Sequence, residues 1–470
     1  MPTPTGQRSL QELMDEKPDL VEYFYNETDA PHPMRYSRLD PWIPKEFTNW
    51  RDEQRSWRET AILLDQSHHM PELFLSGPDA LELLQRVGIN SFANYSLDRG
   101  KQLVGCTPNG HLIGDCILYR LGEDSFELVS GMPLLNWVEY QAHVNDCNVT
   151  IRRDAPTPFN PADRRIKYRF QMDGPNAGEI FNEVVDGGAP TIPFFHQAKV
   201  RIAGCEVLVL RHGMAGHQGV ELSGPYDELA TVRDALLKAG EPHGLMQGGT
   251  TTYFSTLFES AWMAQPLPGI YTDDDLRGYR EWLPDTGWEA AQHLGGSFVS
   301  SNIEDYYATP WDLGYNRIMK FDHEFIGRAA LEAKQDDPHR SKVTLIWNEE
   351  DVTKVYKSQL GHRTRYKSIE FPVAYYGFPQ CDEVRVTSGG EMIGLSCHVG
   401  YSNNDGVVVS LSTLDISKAE IGSEVLITWG EPNGGSRKPE VEQHEQVEVR
   451  ATVAPAPYLK AVAETKVAAI

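Results

Sequence analysis

Residues 211–222 of the 470-residue chain read RHGMAGHQGVEL, a glycine-rich loop that runs into a predicted strand. Its glycines are spaced GxxGxxG, and the apolar residues that follow indicate a strand rather than a helix. The dinucleotide-binding fingerprint requires GxGxxG followed by a helix, and the P-loop pattern GxxxxGK[ST] does not occur in the sequence. The loop is therefore not explained by either common phosphate-binding motif.

Predicted strands and helices alternate on both sides of this loop, at 168–172, 178–185, 207–210, 220–222 and 227–239. An earlier block has a similar order, with a strand at 73–75, a helix at 79–87 and a hairpin at 103–120. The hairpin turn is predicted at 108–110, where the residues are Pro-Asn-Gly. We therefore predict two α+β domains of related design.

The rest of the chain has a different character. The prolines at 31, 33, 41 and 44 disfavour a continuous helix in this part of the chain, and 152–158 has the composition of a linker. After about 340, short β-rich runs are separated by glycine-containing turns, which indicates a β-barrel or jelly roll. The predicted organisation is an extended arm at 1–45, a first α+β domain at 46–155 and about 245–330, a second α+β domain at 160–244, a β-barrel domain at 340–458 and a tail at 459–470.

Composition argues against several classes of function. The formal net charge is −24, from 43 Lys and Arg against 67 Asp and Glu, so the chain repels nucleic-acid phosphates and anionic lipid surfaces. The six cysteines form no CxxC pair and match no zinc spacing. Neither a signal peptide nor an apolar run long enough to span a bilayer is present in the sequence. We expect a cytoplasmic protein with reduced thiols and no metal.

Four ordered segments carry a family resemblance: 109–115, 211–222, 320–331, and the late β region with glycines at 394 and 400. Each motif alone is weak, but their order and spacing over about residues 50–455 resemble the folate-dependent aminomethyltransferases, the glycine-cleavage T-protein and its relatives. The resemblance implies a three-domain cloverleaf with a central folate site.

A closer resemblance is carried by 46–51, 65–70, 295–307 and 429–435. These segments are similar to the tetrahydrofolate-dependent vanillate and 3-O-methylgallate O-demethylases. The resemblance implies a soluble enzyme that moves an aryl methyl group to N5 of tetrahydrofolate, with a small aromatic substrate and folate as partners. No metal, nucleic acid or membrane is expected to take part.

Three residues match catalytic and substrate-binding positions of these demethylases. Tyr253 matches the catalytic tyrosine, and a tyrosine with an ordinary pKa of about 10 stays protonated and can donate to a departing phenolic oxygen. His69 and Gln66 match the substrate pocket, where His69 could bind a phenolic hydroxyl or assist Tyr253. For each residue the alternative is a packed side chain with a structural role.

Five further residues match folate-site positions by the same resemblance. Glu221 matches a carboxylate that reads the pterin edge, since a carboxylate accepts two adjacent N–H donors at once. Trp262 is expected to stack on the folate or line the pocket, with a core tryptophan as the alternative. Gln171 and Tyr401 are weaker candidates, and Asp115 either positions the folate amine or caps a turn.

One departure from the demethylase pattern concerns the substrate carboxylate. The arginine that binds it in the vanillate enzymes is absent from 130–137. Arg38 in the arm could take over this carboxylate, the substrate could carry a different polar group, or Arg38 and Arg35 could both lie in solvent.

Two other functions remain open at the level of sequence. The first is a folate-dependent demethylase of a sulfonium or methylated amine, which carries its own good leaving group and needs no acid. The second is a folate-binding module without turnover.

Overall fold

A computed structural model describes residues 7–28, 42–160, 164–214, 219–264, 266–362, 364–374, 380–387, 390–439 and 441–458. The α-helices in this part of the chain are α1 Leu10–Glu16, α2 Leu20–Asn26, α3 Trp50–Glu59, α4 Ala80–Val87, α5 Met132–Val144, α6 Ala177–Val184, α7 Leu229–Gly240, α8 Thr250–Ser260, α9 Arg277–Trp282, α10 Arg328–Ala333 and α11 Glu349–Ser358. The strands are β1 Ala61–Asp65, β2 Glu72–Ser76, β3 Lys101–Cys106, β4 Leu112–Gly122, β5 Ser125–Ser130, β6 Thr150–Asp154, β7 Lys167–Asp173, β8 Gln197–Ile202, β9 Cys205–Leu210, β10 Gly219–Pro225, β11 Leu245–Gly248, β12 Ser341–Trp347, β13 Asp382–Val386, β14 Met392–Ser402, β15 Val407–Leu414, β16 Glu424–Trp429 and β17 Val447–Pro455.

The first sheet has five antiparallel strands in the order β3-β4-β5-β2-β6. In α4 the buried residues Ala80, Leu83, Leu84 and Val87 follow the i, i+3, i+4, i+7 spacing of a helix with one apolar face. This face packs in the largest hydrophobic cluster, which also contains buried residues of α5 and of the long segment 261–331. That segment is mostly loop and short helix.

The second sheet has six strands in the order β11-β1-β7-β10-β9-β8, with only the β1–β11 pair parallel. Strand β9 ends at Leu210 and β10 begins at Gly219, so the glycine-rich stretch falls between these two strands in the sequence. Buried apolar residues of α6 and α7 pack with those of the sheet in a core of their own. The two α+β units predicted from the sequence are therefore present.

The six late strands close into a barrel in the order β12-β15-β14-β13-β16-β17. Trp347 and Trp429 meet inside it, with ring centroids 5.3 Å apart in an edge-to-face contact. Helix α8 packs on β14, where the Phe258 ring lies over Gly400. A Cβ at that position would stand 1.9 Å from the ring, so the close contact requires glycine. The predicted C-terminal barrel is confirmed.

The predicted extended arm is wrong for the described residues 7–28, which form α1 and α2. Ser9 caps α1 in a capping box with Glu12, and Leu10 and Phe24 are fully buried against the first sheet's core. Pro18 lies between the two helices, so it interrupts neither of them. The prolines at 31, 33 and 41 lie outside the described residues.

Two other predictions about the chain's organisation also differ from the structure. Strands β1 and β11, which we assigned to the first domain, belong to the second sheet, because β1 pairs with both β7 and β11. Residues 152–154, predicted as linker, are the end of β6, whose backbone pairs with β2. The other predicted domain bounds stay a proposal. Over the same described ranges, no helix is long and apolar enough to cross a membrane.

Candidate active site

The candidate residues come together where β1 ends. Leu64 of β1 pairs with Gln171 of β7, and Gln171 pairs with Glu221 of β10, so the three lie in one row across the sheet. Gln66 follows β1 directly, and its backbone N–H donates to the carbonyl of Arg169, 2.9 Å away. The inner strands of the second sheet therefore carry three of the predicted site residues near the end of β1.

Tyr253 joins this group from α8. Its ring packs edge-on against His69 with the centroids 4.7 Å apart. Burial raises the pKa of Tyr253, an effect that the neighbouring Gln66 side chain opposes and the nearby Glu221 reinforces. The hydroxyl is therefore protonated at neutral pH and is available as a hydrogen-bond donor.

His69 is half-buried, and its ring lacks the hydrogen-bond partners that it requires. Both ring nitrogens are shielded from solvent, and neither has a hydrogen-bond partner within the described ranges. Burial, helped by the Arg165 charge, lowers the pKa of His69 to about 3, so the ring is neutral and offers one donor and one acceptor. Unpaired buried groups of this kind cost about 1–3 kcal/mol each, which indicates that a polar ligand satisfies them.

The side-chain oxygens of Gln66 and Gln171 likewise lack hydrogen-bond partners in the described ranges. Gln66 donates through Nε2 to the sulfur of Met214, and Gln171 donates to Asp173 and to the carbonyl of His212. The Oε1 atoms of both glutamines are shielded and lack a donor in the described part of the chain. The site therefore presents unpaired acceptors as well as the neutral imidazole.

The lowered pKa of His69 predicts how stability depends on pH. In the unfolded chain the histidine has a pKa of about 6.5 and becomes protonated below that pH, whereas in the folded protein it stays neutral until the pH is close to 3. The free energy of unfolding therefore falls as the pH decreases from about 6.5 toward 3. We expect His69→Gln to reduce this decline by up to about 1.4 kcal/mol per pH unit. Urea unfolding at pH 7, 6 and 5 measures it, with the exposed His143→Gln as control. Parallel curves for His69→Gln and wild type would contradict the prediction.

Glu221 is buried and already engaged through one oxygen. Its Oε1 accepts hydrogen bonds from the Tyr119 hydroxyl and from the Arg169 guanidinium. No donor to Oε2 occurs among the residues that the structure describes. The carboxylate therefore presents one free oxygen, rather than two, for a further donor.

A second polar cluster contains two of the other candidates. Asp115 accepts hydrogen bonds from the Gln102 amide at 2.8 Å and from the Trp262 indole N–H at 3.4 Å, and Tyr315 also bonds it. Burial raises the pKa of Asp115. Asp115 lies within β4 opposite Val104, so the alternative that it caps a turn is wrong.

The remaining candidates do not join these clusters. Tyr401 stacks on Phe371 with centroids 4.0 Å apart and meets Trp50 edge-on at 6.4 Å, which is a packing environment within and beside the barrel. Arg38 and Arg35 lie outside the described residues. Their predicted roles stay predictions. No group of three or more His, Cys, Asp or Glu that could hold a metal occurs in the described ranges.

Comparison with known proteins identifies the family. The model of the GCVT N-terminal domain matches residues 23–265. A syringate O-demethylase from Sphingobium sp. is 43% identical over 458 residues, which cover 97% of each chain. The chain belongs to the GCVT family. A sesamin methylene transferase from Sinomonas sp. is 28% identical over 89% of this chain and 90% of its own.

The GCVT fold is also seen in a solved structure. The glycine cleavage system aminomethyltransferase T from Bartonella henselae superposes with a TM-score of 0.60 over 96% of this chain and 97% of its own. Because the two sequences are only 16% identical, this likeness establishes the fold alone. The predicted T-protein-like architecture is confirmed.

In this GCVT-family protein, a residue that the sequence analysis missed holds the start of α8. Glu53 of α3 is fully buried, and its Oε1 accepts the backbone N–H groups of Phe47 and Thr48 at 2.7 and 2.8 Å. Its Oε2 accepts the N–H of Gly249 at 2.9 Å and the hydroxyl of Thr252 at 2.8 Å. One carboxylate therefore fixes the turn of helix that carries Tyr253. A glutamate inside an amphipathic helix gave no local signal of this role.

Replacing Glu53 by alanine is expected to destabilise this GCVT-family protein by about 3 kcal/mol or more, because the buried Gly249 N–H and Thr252 hydroxyl lose their acceptor, in addition to the N–H groups of Phe47 and Thr48. Urea unfolding measures the loss. Glu59→Ala is the matched control, since Glu59 lies on the same helix but is exposed. Equal stability of the two variants would show that the hydrogen bonds to Glu53 contribute nothing to the free energy of unfolding.

Proposed function

We propose that this protein is a tetrahydrofolate-dependent O-demethylase. It transfers the methyl group of a methoxylated aromatic acid, of the vanillate, syringate or 3-O-methylgallate type, to N5 of tetrahydrofolate, giving a phenol and 5-methyltetrahydrofolate. The identity of 43% along nearly the whole length of a syringate O-demethylase carries the proposal. The cluster of Tyr253, His69 and Gln66 supports it.

Tyr253 is the donor to the leaving oxygen. An aryl methyl ether releases a phenolate, which is a poor leaving group unless a proton or a hydrogen bond meets its charge. The raised pKa keeps the proton on Tyr253 until negative charge develops on that oxygen. His69 packs against Tyr253 and, being neutral, binds a polar substituent of the substrate through either nitrogen.

The residues present fit a folate. Bound tetrahydrofolate supplies the nucleophilic N5 atom. The pterin edge offers N–H donors, and the free Oε2 of Glu221 with the unpaired Oε1 atom of Gln171 are acceptors of the required kind. Gln66 keeps its proposed place in the substrate pocket. Asp115 and Trp262 are proposed to hold the remainder of the folate, and Tyr401 keeps a weaker role in the proposal.

The binding of the aromatic acid rests on fewer observations than the binding of folate. Arg38 is retained as the partner of the substrate carboxylate on the ground of sequence alone. The reaction is proposed to take place in the cytoplasm, without metal or cobalamin.

Incubation with tetrahydrofolate and a panel of methyl donors tests the function. The panel contains syringate, vanillate, 3-O-methylgallate and a sulfonium, and 5-methyltetrahydrofolate is detected by mass. We expect product from a methoxybenzoate, undiminished by chelators and absent without folate. Demethylation without folate, or turnover of the sulfonium alone, would overturn the proposal.

A further inference from the structure

A buried arginine beside the candidate site uses its whole hydrogen-bonding capacity. Arg169 donates from Nε and Nη2 to Glu72 Oε1 at 3.1 and 2.9 Å, and from Nη2 also to Glu127. Its Nη1 donates to the hydroxyl of Tyr119 at 3.0 Å and to Glu221 Oε1. All five N–H donors of the guanidinium therefore have acceptors.

These partners come from both sheets. Arg169 and Glu221 lie on the adjacent strands β7 and β10 of the second sheet, whereas Glu72, Tyr119 and Glu127 lie on β2, β4 and β5 of the first. Each of the five is almost completely buried. The orientation of the Glu221 carboxylate is therefore set by a contact between the two sheets.

A lysine adds a second cation to this cluster. Lys167 donates to Glu127 Oε2 at 2.6 Å, so the cluster holds two cations and three carboxyl groups. Burial alone would raise the pKa of Glu127, but Lys167 and Arg169 bring it below the usual range, whereas burial raises the pKa of Glu72. The two cations therefore contact carboxylates of the first sheet as well as Glu221 of the second.

We infer that Arg169 and Tyr119 are positioning residues that hold the Glu221 carboxylate with a single free oxygen toward the pterin, an inference that rests on the proposed function. Two donors on Oε1 fix both the position and the rotation of the carboxylate. A folate N–H then meets a preoriented acceptor, so less conformational entropy is lost on binding.

Tyr119→Phe tests this role, because variants of Arg169 would also disconnect the two sheets. The substitution removes one O–H donor and keeps the ring. We expect the Kd for tetrahydrofolate, measured by tryptophan fluorescence titration, to rise about 3- to 10-fold. The KM for the aromatic substrate and kcat at saturating folate should not change. Tyr95→Phe is the matched control, since Tyr95 is also buried and its hydroxyl donates to the carbonyl of Leu118 rather than to Glu221.

A double-mutant cycle separates positioning from a general structural effect. In the Glu221→Ala background, Tyr119→Phe should have no further effect on the Kd, because the group through which it acts is gone. An unchanged Kd in the single variant, or the same fold-increase in both backgrounds, would overturn the inference. If the wild-type protein does not bind tetrahydrofolate at all, it is the proposed function that fails.

Discussion

Tyr253→Phe is expected to lower kcat by about 10²- to 10⁴-fold, the usual contribution of a positioned acid. The binding of folate and of the aromatic substrate should change little, because the hydroxyl matters mainly once charge develops on the leaving oxygen. The phenylalanine ring preserves the edge-on contact with His69. Single-turnover methyl transfer measures the loss across aryl ethers whose phenols differ in pKa.

The dependence on the leaving group distinguishes an acid from a packing residue. The loss should shrink as the phenol becomes more acidic, because a better leaving group needs less help, and a sulfonium donor should show almost none. Tyr226→Phe serves as control, since that ring packs on His68 rather than on His69. Wild-type rates for Tyr253→Phe on a poor leaving group would remove Tyr253 from the mechanism.

Glu221→Ala is expected to raise the Kd for tetrahydrofolate about tenfold or more, because a charge-assisted hydrogen bond contributes about 1.5–3 kcal/mol. The structure adds a second consequence. Arg169 and Tyr119 each lose an acceptor in a buried cluster, so the free energy of unfolding should also fall by about 1–3 kcal/mol. Fluorescence titration and urea unfolding measure the two effects on the same preparation.

Glu221→Gln separates charge from geometry. The amide keeps one acceptor oxygen but removes the negative charge that faces Arg169, so we expect binding between that of wild type and Glu221→Ala. An alanine variant that binds folate as tightly as wild type would refute the folate role, whatever its stability.

Local pattern in the sequence was sufficient for most of the fold. The helical spacing of apolar residues predicted α4 and α6 within a residue or two, and the Pro-Asn-Gly turn predicted the β3–β4 hairpin. Short β-rich runs between glycine turns predicted the barrel. These features depend on residues near each other in the chain, and their periodicity is therefore visible without a structure.

Part of the candidate site could also be predicted from the sequence. Motif matches selected Tyr253, His69 and Gln66, and the structure places the three side chains together. For Glu221 the match gave the residue but not its surroundings, since its two partners lie 52 and 102 positions away in the chain.

Tertiary structure alone decided the features that depend on distant residues. Strands β1 and β11 pair in parallel, with Ala61 opposite Leu245, although these residues are 184 positions apart in the chain. This pairing places both strands in the second sheet rather than in the predicted first domain. The hydrogen bonds of Glu53 to the start of α8 likewise join elements that no local pattern connects, and so do those of Arg169. A buried charged residue has no periodic signature of its own. Its role is set by which partners the packed sheets bring within hydrogen-bonding distance.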